Sequence, residues 1–290
     1  LQRVMDEQPA LRTRLVRCDV PFIEGQYQWV SSSAQVILQR LDWSDKIEQT
    51  AEQRHAALAA LIYQPFSMDG ELLRHYLIFL KPDWYISIFA VHHVLLDGLS
   101  GTQHLNWVTA TYTALMQDKP LPELAEPLFA DYLHYERQRF DQTALLARWD
   151  DRLQTVSALD VPAPSMTDGL DQATEILNRI IKLSSGEWKK IRQFCRKRRI
   201  TPAIYFKTLY AFLLARYGHA EQDFAFTEVL AGRIKGHTKT LGCYYSQVPF
   251  IVSLDWLSAE TAISTLFDHM REGLRQLGDD RDFSVFAQRQ

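Results

Sequence analysis

Residues 84–116 constrain this chain most, because a strand-like run, a histidine pair and a helix follow one another without a break. Trp84-Tyr85-Ile86-Ser87-Ile88-Phe89-Ala90 is rich in aromatic and β-branched residues and reads as a buried strand. Val91-His92-His93-Val94-Leu95-Leu96-Asp97-Gly98-Leu99-Ser100 then enters a turn, and Leu99 to Met116 reads as a helix. A side chain at such a strand end stands on a rigid scaffold and faces a loop, a frequent place for chemistry. Strand side chains alternate in face, so His92 and His93 are not expected to share one cavity. One is free for chemistry and the other packs or hydrogen-bonds. Asp97 is expected to accept from nearby N–H groups, and Gly98 to permit the turn. By spacing alone, a purely structural histidine pair fits equally well. No Cys pair or spaced His/Glu set completes a coordination shell, so no metal site is expected.

Composition narrows the class. The chain has 290 residues, 47% of them hydrophobic and 23% charged, as in ordinary globular proteins long enough for two modest domains. A net charge of −3 offers no global attraction to nucleic acid or to a membrane. Cys18, Cys195 and Cys243 are widely spaced, without a C-x-x-C pair, which predicts free thiols and a cytoplasmic protein. No apolar run approaches a membrane span, the start does not read as a signal peptide, and no Gly-rich phosphate loop is present.

Along the chain, strands are predicted over 10–18, 26–30 and 34–39, and an amphipathic helix over 45–63 with Ile47, Ala51, Leu58, Leu61 and Ile62 on or near one face. A strand pair follows over 72–80 and 84–93, then the 99–116 helix and helical turns over 129–156. The Pro- and Gly-containing stretch 161–171 is the expected linker between a first domain (1–160) and a second (172–290). In the second, 175–183 is strand-like and Ser184 caps a helix to Arg198. Thr201-Pro202 opens a helix to Tyr217 that reads as largely buried. Strands over 223–230 and 244–254 precede a helix over 258–277 with Leu266, Phe267, Met270 and Leu274 inward. The fold class is α/β, as two lobes of similar make-up. The basic run 189–199 reads as the solvated face and last turn of a helix, where cations suit the dipole, or as a docking patch for an acidic protein. Nucleic acid is disfavoured by the sparse aromatic interleaving.

The His-His-x-x-x-Asp-Gly pattern resembles the signature of nonribosomal peptide synthetase condensation domains and of related acyltransferases of the chloramphenicol acetyltransferase superfamily. Other stretches agree, in the family's order. Leu11-Arg12-Thr13 is similar to the family's early Leu-Arg-Thr motif, and Pro65-Phe66 with Gly70-Glu71-Leu72-Leu73-Arg74 to the run before its His strand. Tyr132 and its neighbours look like the family's Tyr-x-Asp-Phe/Tyr-Ala helix start. Gly232-Arg233, and Gly242-Cys243-Tyr244-Tyr245-Ser246-Gln247, resemble its Gly-Arg and Gly-x-Phe-Val-Asn-Thr segments, and Arg281 to Phe286 its Asp-x-Pro-Phe motif. Ser246 stands where Asn is usual, and Leu99 where Trp is frequent.

The resemblance implies two sandwich lobes with a tunnel between them, the second lobe incomplete and the chain a fragment lacking both ends. It implies amide formation by attack of an acceptor amine on a donor acyl thioester. Both would arrive on 4′-phosphopantetheine arms of carrier protein domains, with no cofactor bound directly and an adenylation domain nearby in a larger, monomeric multidomain chain. His93 would be the catalytic base or positioner, with His92 structural, Gly98 bringing backbone N–H groups to the oxyanion, and Asp97 paired with Arg12. Ser100, Tyr245 and Ser246 would line the tunnel, and Arg196, Lys197 and Arg198 would meet a carrier. Rival readings are a free-standing acyl-CoA-dependent acyltransferase and a degenerate, protein-recruiting member.

Overall fold

The structure, a computed structural model, describes residues 1–20, 23–124, 127–139, 142–160, 180–258 and 261–279. Two compact units emerge: Leu1–Arg139 with Arg233–Tyr245, and Phe140–Gly232 with Ser246–Gln290. The division falls near residue 139; the expected 161–171 linker lies outside the described residues. Residues 233–245 also return to the first unit.

In the first unit, α1 (Gln2–Glu7) leads through a 3-10 turn into the antiparallel hairpin β1 (Thr13–Val20) and β2 (Ile23–Val30). The first strand starts later than the expected residue 10 because Pro9 opens the turn Pro9–Arg12, which buries Leu11. β3 (Leu38–Asp42) likewise starts later than expected. The backbone at 34–36 is taken by Gln2, whose side chain donates to the Ala34 carbonyl and accepts from the Val36 N–H. The expected helix over 45–63 resolves into a 3-10 turn at Ser44–Lys46 and α2 (Ala51–Ile62). A reciprocal capping box between Thr50 and Gln53 sets its start, since it satisfies two otherwise orphaned helix donors.

β4 (Leu73–Lys81) pairs parallel with β3 and antiparallel with β5 (Trp84–Val91). Period-two alternation sorts this sheet. Tyr76, Ile78, Leu80 and Ile88 face one way, against Ala57, Leu58 and Leu61 of α2. His75 and Phe89, paired across β4 and β5, face the other way and meet α3 (Gly98–Met116). A second cluster joins Val4, Leu11, Leu72, Leu95, Leu96, Trp107 and Leu241. α4 (Phe129–Arg139) follows.

In the second unit, α5 (Gln142–Leu153), α6 (Ser185–Arg198), α7 (Pro202–Tyr217) and α8 (Ile263–Asp279) pack with the antiparallel pair β6 (Phe224–Leu230) and β7 (Ser246–Val252). Their core holds Trp149, Cys195, Ile204, Ala211, Phe224, Phe250, Phe267 and Met270. Ser184 caps α6 in a box with Glu187, as expected. Its end has Arg199 in the left-handed region, with Arg199 and Ile200 N–H groups returning to the Arg196 and Cys195 carbonyls. Leu266, Phe267 and Met270 of α8 point inward as expected. α7 is corrected: only Ile204, Thr208 and Ala211 are buried, while Phe206, Leu209, Tyr210, Phe212, Leu213 and Tyr217 are exposed. Three positions spaced four and three apart make a single narrow buried stripe. Of the strand expected over 175–183, residues 175–179 lie outside the described residues, and 180–183 adopt no regular structure.

His75 and His104 lie buried, their ring centroids 5.7 Å apart, with the Phe89 ring 4.1 Å from that of His104. Burial pushes His75 down to about 4 and His104 down to about 3, the latter helped by the neighbouring histidine. Both are therefore neutral in the native state but take up protons near pH 6.5 once unfolded. Their stability contribution is complete above pH 6.5 and is lost progressively as pH falls from there toward 4 and 3, by about 1–2 kcal/mol each at pH 5. We predict a Tm that drops between pH 7.5 and pH 5.0, and a smaller drop in His104→Leu. An equal drop in both proteins would refute the buried, neutral His104.

Candidate active site

The site is built at the end of β5. The ladder extends one residue past the strand, as the His92 N–H donates to the Leu72 carbonyl at 2.8 Å. The chain then turns: the Leu95 N–H donates to the His92 carbonyl (3.0 Å), and the Val94 N–H to His92 Nδ1 (3.2 Å). The Phe66 ring stands edge-on to the His92 ring, at 6.1 Å between centroids. His92 is thus spent on forming the turn. His93, at its apex, is exposed, with its ring edge-on to Tyr245 at 4.8 Å and Nδ1 3.9 Å from the Cys243 sulfur.

Asp97 caps α3 from a buried position. Its Oδ1 accepts from the Ser100 N–H (2.7 Å) and from Arg233 Nη2 (3.1 Å), and its Oδ2 from the Tyr244 N–H (3.0 Å). Its own N–H donates to the Gly242 carbonyl at 3.2 Å. A carboxylate at a helix N-terminus complements the dipole, and the guanidinium supplies the countercharge that burial demands. Arg233 also donates to the His237 and Thr240 carbonyls, at 3.0 and 2.7 Å, and lies over the Tyr244 ring. Gly242 is required by close approach. A Cβ there would run into the Phe129 ring.

Two expectations are overturned. The cation on Asp97 is Arg233, not Arg12, whose guanidinium instead bonds the Met5, Asp6 and Ser31 carbonyls. Those carbonyls ring Arg12 at the end of its own 3-10 turn, so it serves the local chain path. Ser100 is not a lining residue. It is fully buried, its hydroxyl donating to the Gly242 carbonyl (2.6 Å) and accepting from the Gly242 N–H (3.1 Å) and Arg233 Nη2 (2.6 Å). One donor and two lone pairs are all in use.

Of the remaining expected residues, Gly98 is exposed in the first turn of α3, and Tyr245 sits beside His93. Ser246 opens β7 in the second unit, opposite Leu230. Arg196, Lys197 and Arg198 are exposed in the last turn of α6. Sequence reasoning assigned no role to Arg233, Gly242, Cys243 or Tyr244, although Gly232-Arg233 and the Gly242 run were recognisable. Among the described residues no cluster of His, Cys, Asp and Glu could hold a metal ion, and no helix is long and apolar enough to cross a membrane.

Removing one partner of a buried ion pair leaves the other charged and unpaired, at a cost of about 3–5 kcal/mol. We predict that loss for Arg233→Met in urea unfolding, against roughly 1–2 kcal/mol for Arg12→Met, whose partners are neutral carbonyls. The reverse order would contradict the assignment of Arg233 as the countercharge.

Comparison with known proteins gives the family and the fold. The family model described as "Condensation domain" matches residues 1–284. One of the linear gramicidin synthase proteins of Brevibacillus parabrevis is 27% identical over 283 residues, covering 94% of this chain and 5% of that protein. Chondramide synthase cmdD of Chondromyces crocatus is 25% identical over 267 residues, covering 88% and 6% respectively. The chain therefore spans only a small part of these relatives' length. Among solved structures, the first condensation domain of the calcium-dependent antibiotic synthetase, in complex with a substrate analogue, superposes with a TM-score of 0.79 at 16% identity, over 98% of this chain and 66% of that one. A signature turn with its buried carboxylate in place, this shared fold and a family match over nearly every residue lead to one assignment: the chain belongs to the condensation domain family.

Proposed function

We propose that the chain acts as a condensation domain of a nonribosomal peptide synthetase, forming an amide from an acceptor amine and a donor acyl thioester, both delivered on 4′-phosphopantetheine arms of carrier protein domains. What carries this reading is the exposed His93 imidazole at the apex of a turn, fastened by the buried Asp97, in a chain of this family.

An ammonium has no lone pair, so the acceptor nitrogen must shed a proton before or during attack. Imidazole exchanges protons near neutrality, so His93 can take that proton as the new N–C bond forms. Expulsion of the donor thiolate then breaks the C–S bond, and the proton on His93 can pass to the leaving sulfur. Base catalysis of this kind contributes roughly 10²–10⁴-fold, and holding two tethered reactants together can contribute more. Gly98, exposed at the start of α3 beside the Ser100 N–H that Asp97 takes, would offer its own backbone N–H to the developing oxyanion. The cationic last turn of α6, Arg196 to Arg198, suits an acidic carrier surface. Adenylation and carrier domains would supply the loaded substrates. Cys18, Cys195 and Cys243 are free thiols, compatible with a reducing cytoplasm.

The test is amide formation between two loaded carriers. We predict a loss of about 10²-fold or more in His93→Ala, with far-UV circular dichroism unchanged and acyl-CoA a poor donor to the wild type. Undiminished product from His93→Ala would end the catalytic assignment, and equal use of acyl-CoA would favour a free-standing acyltransferase.

A further inference from the structure

A general base works only if one imidazole nitrogen keeps its lone pair toward the substrate, and the partner of the other nitrogen sets which one does. The carboxylate in this signature turn is not that partner. Asp97 is engaged by the Ser100 and Tyr244 N–H groups and by Arg233. The group that does reach His93 Nδ1 is the sulfur of Cys243, at 3.9 Å.

The position of that sulfur follows from the backbone on either side. The N–H and carbonyl of Gly242 are both bonded to the Ser100 hydroxyl, and the Tyr244 N–H is bonded to Asp97. Residue 243 is therefore pinned from both sides to the first turn of α3, the helix that begins five residues after His93. The Tyr245 ring, edge-on at 4.8 Å, limits rotation of the imidazole. Turn, helix cap, clamped segment and sulfur close a ring of contacts that returns to His93.

From this geometry, and resting on the proton-accepting role proposed for His93, we propose that Cys243 is a positioning residue whose sulfur accepts the Nδ1–H of His93 and leaves the Nε2 lone pair free for the acceptor amine. The state of the thiol agrees. Burial, aided by the Asp97 charge, pushes it up to about 11, so it stays protonated at neutral pH, with the Arg233 guanidinium the nearby cation on Asp97. A thiolate here would draw a proton onto the imidazole and consume the base. A neutral sulfur orients the ring without doing so.

The tautomer can be read directly from long-range ¹H–¹⁵N correlations of the full chain labelled at histidine, with His93→Gln identifying the signal. The expected result is Nδ1–H for His93 in the wild type, shifting toward Nε2–H in Cys243→Ala. In the carrier assay, kcat of Cys243→Ala should fall about tenfold with KM for both carriers unchanged, and Cys243→Asn, whose amide oxygen can accept, should recover most of it. A wild-type His93 protonated at Nε2, or a tautomer indifferent to Cys243→Ala, overturns the proposal. If the wild type makes no amide at all, the condensation reading fails, while the spectrum still decides the Cys243 contact.

Discussion

A single carboxylate, sealed from water at the start of α3, is what the first unit depends on. Asp97 is charged, buried and at a helix N-terminus, a position stable only when donors surround it. The donors come from far along the chain: the Ser100 N–H from its own helix, and the Tyr244 N–H and Arg233 guanidinium from residues 233–245. Burying that charge therefore requires this later segment to be in place. The same need explains why residues 233–245 belong to the first unit although the chain reaches them only after most of the second.

The residues of the signature turn divide the work by geometry. His92 folds back on the turn, His93 projects from it, Asp97 fastens the far end, and Ser100 passes the fastening on to Gly242. Gly242 then makes room for Phe129, whose ring packs with Tyr132 and Tyr244. An exposed imidazole and the buried groups that support its turn thus sit on neighbouring positions of one short stretch.

Much of this was legible in the sequence, and the failures share a cause. Elements with strong local signals formed where expected: β5 and α3 around the histidine pair, α6 behind Ser184, α7 behind Thr201-Pro202, and the inward stripe of α8. That His92 and His93 would not share one environment was expected from strand alternation, but what separates them is the turn that starts at His92, just past the end of β5. Misjudgements arose where a distant residue competed for the backbone, as Gln2 does at 34–36, or where partners lie far apart in the chain. Arg12 was a reasonable counterion for Asp97 by resemblance, but choosing between it and Arg233 requires knowing which chain segment lies beside the cap. Ser100 looked like a lining residue because its burial depends on Gly242, 142 positions away. The apolar composition of α7 suggested burial, yet only one stripe of it meets the core.

Amide hydrogen exchange at two residues tests the central claim most directly. The Ser100 and Tyr244 N–H groups both donate to the Asp97 carboxylate, one from the helix it caps and one from the returning segment. If Asp97 fastens these together, both amides should exchange only as slowly as the amides of β4 and β5, through opening of the whole unit. Exchange of Tyr244 at the rate of an open loop, with Ser100 still protected, would show that the returning segment is not held there and would contradict the account.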